Sequence, residues 1–181
     1  AGIAVAVLFS NVIAQVEDGA VLSADDDILI VAKAGSAPVP FAPDRNEMNR
    51  GIEGSLDQDA GSITSLTIRA VSITGGGALV GVSVAVASVA LNSTVIARLS
   101  GDVLKADDLK VQAIISYPGV LATTLTVAGG GVGVGASIAL VVTNSQSESA
   151  IAGNASISGA NTVQVQSDLT VTALTAATAI G

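Results

Sequence analysis

Carboxylates are the side chains of this sequence whose type and spacing could do chemistry. Asp25, Asp26 and Asp27 form one acidic turn, and Asp107 and Asp108 form a second at a corresponding point further along the chain. If the turns stack, Asp25, Asp27, Asp107 and Asp108 could offer oxygen ligands to Ca²⁺, because this hard cation prefers carboxylate and carbonyl oxygens. Solvated turns explain the same residues without an ion. The sequence therefore predicts no cofactor, with Ca²⁺ as the metal that these turns could hold.

Residue types that most enzymes need are missing. The chain has no His and no Cys, which removes the common proton shuttle, thiol nucleophiles, disulfides and His- or Cys-based zinc sites. A serine nucleophile would need Lys33, Lys105 or Lys110 as its base, and none stands in a Ser-x-x-Lys context. Asp57 and Asp59 could act on a sugar, but only 2% of the residues are aromatic and able to stack on one. The sequence predicts a protein that is not an enzyme.

Two glycine-rich motifs are incomplete. Gly131–Ala136 partly matches the dinucleotide-binding pattern, but alternation continues through Leu140, where a helix should open. Gly130–Val134 approaches the calcium-binding nonapeptide, yet Gly135 stands where the aspartate ligand belongs. Neither segment predicts a ligand site.

Composition bounds the class of protein. The chain has 181 residues, enough for about one domain. Half of the residues are hydrophobic, almost all of them Ala, Val, Ile and Leu. Fifteen acidic and seven basic residues give a net charge of −8, which disfavours nucleic acid as a partner. We expect a single domain with a core of small side chains.

Internal repetition organises the chain. The triplets Gly75–Gly77 and Gly129–Gly131 begin 54 residues apart, and each is followed by an uncharged alternating run that ends near Asn92 or Asn144. The run before Asn11 is a third copy. Three copies of a second alternating run are Ile28–Ala32, Leu109–Ala113 and Leu169–Ala173. The copies span about residues 1–34, 62–115 and 116–181, and a repeat of this kind is typical of solenoids.

The alternation predicts strands of five to eight residues. From Val132 to Val142, even positions are bulky and odd positions, such as Gly133, Gly135, Ser137 and Ala139, are small. Neither face is charged, so we expect this strand to be covered on both sides, with the small face buried by close backbone approach. A transmembrane helix is disfavoured, because its interior would hold several glycines at about 1 kcal/mol each.

The segment Gly35–Gly61 departs from the repeat. It holds three of the four prolines and a run of charged residues, a composition that predicts a surface loop insertion. We expect a short helical turn near Glu47–Arg50. A solvated loop without a role is favoured over a loop that contacts a partner.

The two ends of the sequence rebuild an internal repeat when they are placed head to tail. Residues 175–181 followed by residues 1–7 resemble Thr123–Gly129 and the run that follows it. We therefore expect either a block of a longer array or a subunit that continues into a fibre, with end strands that expose unpaired edges. The residues expected to meet between units are Ala4, Val5, Ala6, Val7, Thr172, Thr178 and Ile180.

Three segments carry a family resemblance: Gly129–Leu140, Asn92–Ala97 and Ala106–Ala113. Their pattern resembles the repeats of large secreted bacterial surface proteins of the adhesin, haemagglutinin and autotransporter-passenger type. The resemblance implies an extracellular, cell-surface β-solenoid that serves as a stalk or fibre.

The expected fold is an all-β solenoid, a parallel β-helix of stacked short strands with one protruding loop, and a β-sandwich is the alternative. About 20 residues per coil would give roughly eight or nine coils. The expected function is a structural building block of an extracellular fibre or adhesin stalk, whose partner is itself, head to tail, or flanking repeats of a longer chain. A glycan- or protein-binding module is the second hypothesis, and a polysaccharide-lyase type of enzyme is the third.

Overall fold

The computed structural model describes residues 1–35, 39–40, 65–66, 68–77 and 79–181. Within these ranges the chain forms ten strands and no helix, which confirms the all-β prediction. The strands are β1 (Gly2–Val16), β2 (Val21–Ser23), β3 (Ile28–Gly35), β4 (Val39–Pro40), β5 (Ser65–Leu66), β6 (Ile68–Gly77), β7 (Val80–Leu99), β8 (Asp102–Gly129), β9 (Val132–Ile151) and β10 (Ala160–Ile180).

Two large sheets are built from parallel strands. In the first sheet β7 is central, with β1 on one side and β9 on the other. In the second sheet β8 is central, with β10 on one side and β2, β3 and β6 along the other. The short β4 and β5 form a separate antiparallel pair. Parallel pairing throughout both large sheets is what stacked sequence repeats predict.

The chain alternates between the two sheets, so it forms three layers. The first layer holds β1 in the first sheet and β2, β3 and β6 in the second; the second layer holds β7 and β8; the third holds β9 and β10. Val80 of β7 pairs with Val132 of β9, 52 positions further on. Each of the last two layers thus consists of two long strands.

The predicted strand length and coil size are wrong. The main strands are 15 to 28 residues long, not five to eight, and stacked positions are about 52 residues apart, not 20. The described residues therefore form three broad layers in place of eight or nine small coils. The reason is that the alternating runs are not interrupted: β7 contains no glycine or proline after Gly81.

The register corrects the alignment of the repeats. Gly77 pairs with Gly129, so the glycine triplets are displaced by two positions from each other. Asn92 pairs with Asn144, as the repeat predicts, but Asn11 pairs with Thr94. At the spacing of 52, identical residues stack along β7 and β9, as in the pairs Val82 with Val134, Val89 with Val141 and Ser93 with Ser145.

Of the two predicted matches between copies of the second alternating run, the structure confirms one. Ile28–Ala32 pairs with Leu109–Ala113 residue by residue, which confirms the match between these two segments. Leu109, however, pairs with Val163 in the third layer, and Leu169 lies beside Ile115. The similar segments Leu109–Ala113 and Leu169–Ala173 are therefore not paired: Leu169 lies six residues beyond Val163, which is the partner of Leu109.

The core lies between the two sheets, and its side chains are large at one end of the strands and small at the other. Near the turn from β7 to β8 it contains large side chains, among them Leu91, Leu99 and Leu109, each at most 1% exposed. Towards the other end of the strands the sheets approach so closely that small residues line the space. A Cβ atom on Gly133 would lie 2.5 Å from the carbonyl oxygen of Ala128. The predicted close approach of backbones is therefore confirmed at Gly133.

The predicted covering of both faces of β9 is wrong. Gly133, Gly135, Ser137 and Ala139 lie half-buried on the inner side, whereas the bulky side chains of the other face point to solvent. Ile138, for example, is 57% exposed. The narrow space between the sheets accepts the small face, so the bulky face is turned outward.

The predicted insertion begins where β3 ends. Most of Gly35–Gly61, including the expected helical turn at Glu47–Arg50, lies outside the described residues. Gly35 pairs with Ser116 of β8, and Ile68 pairs with Val120, so the chain leaves and rejoins the same neighbouring strand a few residues apart. Gly35 has a φ of 129°, in the region that favours glycine, and a Cβ there would meet the carbonyl of Ser116.

Candidate functional site: strand edges and a stacked acidic turn

The acidic turns stack on one another, as the sequence predicts. Ile28 pairs with Leu109, which places Asp27 beside Asp108. The backbone N–H of Asp108 donates to Oδ1 of Asp27 at 3.2 Å, and the N–H of Asp107 donates to the carbonyl of Asp26 at 3.1 Å. The turn of the first layer is therefore tied to the turn of the second layer by hydrogen bonds.

Other protein groups bind two further carboxylates of this turn. Nζ of Lys105 forms an ion pair with Oδ1 of Asp25, and Nδ2 of Asn161, in the third layer, donates to Oδ1 of Asp107 at 3.4 Å. In the part of the chain that the structure describes, no group of three or more acidic side chains could hold a metal ion. The two turns that carry the four candidate ligands are thus stacked, but protein hydrogen bonds tie them together and their carboxylates do not form one metal-binding group.

We expect chelation to leave stability almost unchanged. The Lys105–Asp25 pair is exposed, and the bonds of the acidic turn are made by protein groups, so no ion is needed to hold it. The melting temperature measured with 5 mM EDTA, or with 5 mM CaCl₂, should agree with that in buffer to within about 1 °C. A rise of several degrees with Ca²⁺, reversed by EDTA, would contradict this and would indicate binding at the turn.

The residues predicted for self-association lie in two different sheets. Ala4–Val7 belong to β1, an edge strand of the first sheet, with Val5 and Val7 pointing to solvent and Ala4 and Ala6 pointing inward. Thr172, Thr178 and Ile180 belong to β10, an edge strand of the second sheet. The two groups also lie at opposite ends of the stack of layers, as a head-to-tail contact between units requires. Because they belong to different sheets, they would not pair directly if each sheet continued in register from one unit to the next.

The third layer presents an open edge. No described strand pairs with the outer side of β9 or β10. Val163, Val165 and Leu169 of β10 are 45 to 52% exposed, while Leu109 and Val111, their neighbours in the central strand, are fully buried. These side chains point into the space between the sheets, but no further layer of described strands covers them. Unpaired backbone groups and apolar side chains therefore occur together at this edge.

The open edge of the third layer at Val163 and Val165 is not among the predicted association residues. The end-to-end repeat pattern indicates Ala4–Val7 and the last residues of β10 instead. The signal that could have found the edge is the alternation of Val163, Gln164, Val165 and Gln166, which marks one face as apolar. Its partner Leu109 would then have identified that face as the inner one.

The first layer borders a cavity of about 480 Å³. It lies between β1 and the ends of β3 and β6, above Tyr117 of β8, and is lined by Val7, Leu8, Phe9, Ser10, Gly35, Ile68 and Tyr117. Tyr117 is 2% exposed, and its hydroxyl lies 3.5 Å from Oγ of Ser93. The lining is apolar apart from Ser10 and the tyrosine hydroxyl, so it suits an apolar group better than a sugar.

Comparison with known proteins gives no assignment. No family model, no curated protein and no solved structure matches the chain. Among the residues that the structure describes, no helix could cross a membrane. The strand edges and the acidic turn are the features that bear on function.

Proposed function

We propose that this chain is a structural building block of an extracellular bacterial fibre or adhesin stalk, in which layers continue head to tail from one unit to the next. The observation that carries the proposal is the open edge of the third layer, where Val163, Val165 and Leu169 lack cover. A further layer of the same kind would bury these side chains and pair the free backbone groups of β9 and β10.

The layers are, in this proposal, coils of a β-solenoid. The chain passes from one sheet to the other and back, adding one strand to each sheet per layer. All pairings within the two large sheets are parallel, whereas hairpin-connected sandwiches pair antiparallel strands. Asn92 above Asn144 and Gly81 above Gly133 show the stacking of like residues that solenoids use.

The strands that meet between units differ from those first predicted. Since β1 and β9 are the two edges of the first sheet, β9 of one unit would pair with β1 of the next. Thr172–Ile180 of β10 would instead meet the second-sheet strands of the next unit. A contact between unlike edges does not close on itself, so it propagates into a filament.

The extracellular and cell-surface location rests on the resemblance of the repeats to those of secreted surface proteins. The charge of −8 is consistent with an extended acidic surface that does not bind nucleic acid. A rigid stack transmits length and needs no catalytic group, in keeping with the absence of His and Cys from the sequence.

We expect oxidation to cross-link the variant N11C/Q146C into a ladder of multimers. Asn11 and Gln146 both flank Thr94 in one outward-facing row of the first sheet, so stacking in the same register would bring them onto adjacent strands about 4.8 Å apart. That separation lies in the range of a disulfide. The chain has no cysteine of its own. Non-reducing gel electrophoresis after mild oxidation would show dimers, trimers and larger species.

The matched control moves one thiol along the same edge strand. In N11C/A150C the second cysteine replaces Ala150, which pairs with Arg98. Arg98 lies four residues beyond Thr94, the partner of Asn11, and four residues span about 13 Å along a strand. This variant should give little cross-linking, and N11C alone should stop at dimers. Equal ladders from both double variants, or no ladder from N11C/Q146C at 100 µM protein, would sink the proposal.

The binding module is a second candidate function, and the cavity beside Phe9 and Tyr117 is the observation that favours it. The cavity would take a small apolar group of a partner. Leu8 is the inward-facing side chain of β1 in the lining, and Val12 is an inward-facing side chain of β1 outside it. If no ladder forms, and if the L8A variant alone loses binding of an apolar fluorescent dye that the V12A variant retains, the module would be the better assignment.

A further inference from the structure

The outer face of the first sheet carries a continuous apolar patch. We define the patch as the outward-facing residues of Ile3–Phe9 in β1, Val80–Ala90 in β7 and Val132–Val142 in β9. Ile3 and Phe9 are 77% and 75% exposed. Val82 and Val134, which are paired neighbours, are 68% and 56% exposed. The outward face of a parallel sheet is normally covered, so this patch lacks the cover that its strand type usually has.

Register makes the patch continuous across the three strands. Ile3, Val86 and Ile138 form one row, and Val5, Ser88 and Leu140 form the next. The side chains of a row lie about 4.8 Å from one another. The patch is therefore a single flat surface, and polar side chains such as Asn92 and Asn144 begin where it ends.

The patch contains no charge. In the described strands, the charged side chains of this outer face are Arg98 and Glu148. They lie near the C-terminal ends of β7 and β9, away from the patch, and form an ion pair at 3.0 Å. The acidic turn lies at the beginning of the second-sheet strands, away from the patch. A chain with a net charge of −8 thus keeps one large face on which two copies could meet without repulsion.

The size of the patch approaches what a pair of copies needs. Eleven residues each of β7 and β9 extend about 36 Å, seven residues of β1 extend about 23 Å, and each strand is about 4.8 Å wide, so each patch covers roughly 460 Å². Two patches together would bury about 900 Å², close to the lower bound of about 1,000 Å² for a specific interface. Each layer added head to tail would lengthen the patch further.

A second copy fits this surface better than a lipid surface does. Proteins that lie on membranes use basic residues and interfacial Trp or Tyr, but the sequence has no Trp and its one tyrosine, Tyr117, is buried. Among the described strands of the first sheet the one basic side chain is Arg98, which lies eight residues beyond the patch and is paired with Glu148. The valine-rich surface is also well suited to sheet-on-sheet packing, in which rows of side chains interdigitate.

We propose that two copies pair laterally through this patch, with their first sheets face to face about 10 Å apart. The contact is isologous, so it closes as a dimer and differs from the head-to-tail contact, which uses strand edges. It does not depend on head-to-tail stacking. If both contacts form, the fibre consists of two parallel rows of units.

The test places charges on the central strand, where they cannot block a strand edge. In V82K/V84K both substitutions lie on outward-facing positions of β7 within the patch. In the control, T94K/I96K, they lie on the same strand and the same face but beyond the row of Phe9, which is the last row of the patch. Sedimentation velocity should show the dissociation constant of the wild-type dimer raised at least tenfold in V82K/V84K and little changed in T94K/I96K.

Two further measurements keep the outcomes distinct. Circular dichroism would verify folding, and V82S/V84S would replace the lysine variant if that variant does not fold. In the N11C/Q146C background, the patch variant should still give the oxidised ladder, since the strand edges are untouched. Dimers as strong in V82K/V84K as in the wild type, or a wild type that stays monomeric at 100 µM, would overturn the lateral pairing. So would a monomer that floats with phosphatidylcholine vesicles.

Discussion

Replacing Gly81 with valine is expected to lower the melting temperature by about 6–12 °C. Gly81 is buried in the central strand of the first sheet, where a Cβ atom would lie 2.7 Å from the carbonyl oxygen of Gly129 and 3.2 Å from that of Gly76. Both oxygens belong to backbone in the second sheet, so neither can move without separating the sheets. Overpacking of this kind costs about 3 kcal/mol, and each kcal/mol lowers the melting temperature by about 2–4 °C in a domain of this size.

The matched control for G81V is the same substitution at Gly75. Gly75 also lies in a strand that borders the narrow part of the core, but a Cβ there would meet no heavy atom within 4 Å. G75V should melt within about 2 °C of the wild type, since valine is also well suited to a strand. Equal losses in the two variants would show that the glycines act through strand propensity and not through the spacing of the sheets.

Strand type and parallel stacking could be predicted from the sequence because they depend on local pattern. Alternation over Val132–Val142, without a charge and with glycines that disfavour a helix, is sufficient to indicate a strand. Similar segments at a regular spacing are sufficient to indicate stacking, and the pairing of Ile28 with Leu109 bears this out. The stacking of the two acidic turns could be predicted from the same repeat, because each turn directly precedes one of the paired segments.

The orientation of the strands could not be predicted, because both faces of β9 are apolar. Hydrophobicity alone cannot choose between Ile138, which is 57% exposed, and Ser137, which lies on the inner side. Side-chain volume decides which face of β9 points inward. At this end the space between the sheets accommodates glycine, alanine and serine, and Leu or Ile would not fit. The bulky face is consequently exposed, and the apolar patch results from the narrowness of the core.

Local sequence pattern also does not give the length of the layers. Proline and glycine typically end a strand, yet Pro118 and Gly119 lie within β8. The first-layer partner changes at that point from β3, which ends opposite Ser116, to β6, which begins opposite Val120. A proline there needs no ladder hydrogen bond on that side. Only the partner strand shows why the turn signal did not end the strand.

Replacing Ser137 with arginine tests the orientation of β9 directly, and a large loss of stability is expected. Oγ of Ser137 donates to the carbonyl of Thr178 at 2.6 Å and lies in hydrogen-bonding contact with Oγ1 of Thr126, so it joins the first sheet to β10 and β8 of the second. An arginine would lose these bonds and place its charge between the sheets without a partner. We expect the free energy of unfolding to fall by about 3 kcal/mol, a decrease in melting temperature of about 6–12 °C.

The control for S137R is I138R, the same charge one residue further along the strand. Ile138 points to solvent, so its replacement should change the melting temperature by no more than about 2 °C when measured at a protein concentration too low for lateral pairing. Because strand side chains alternate between faces, a one-residue shift in the register of β9 would exchange the two results. Destabilisation by I138R with little effect of S137R would therefore show that the bulky face is the buried one, and it would remove the apolar patch together with the lateral pairing that rests on it.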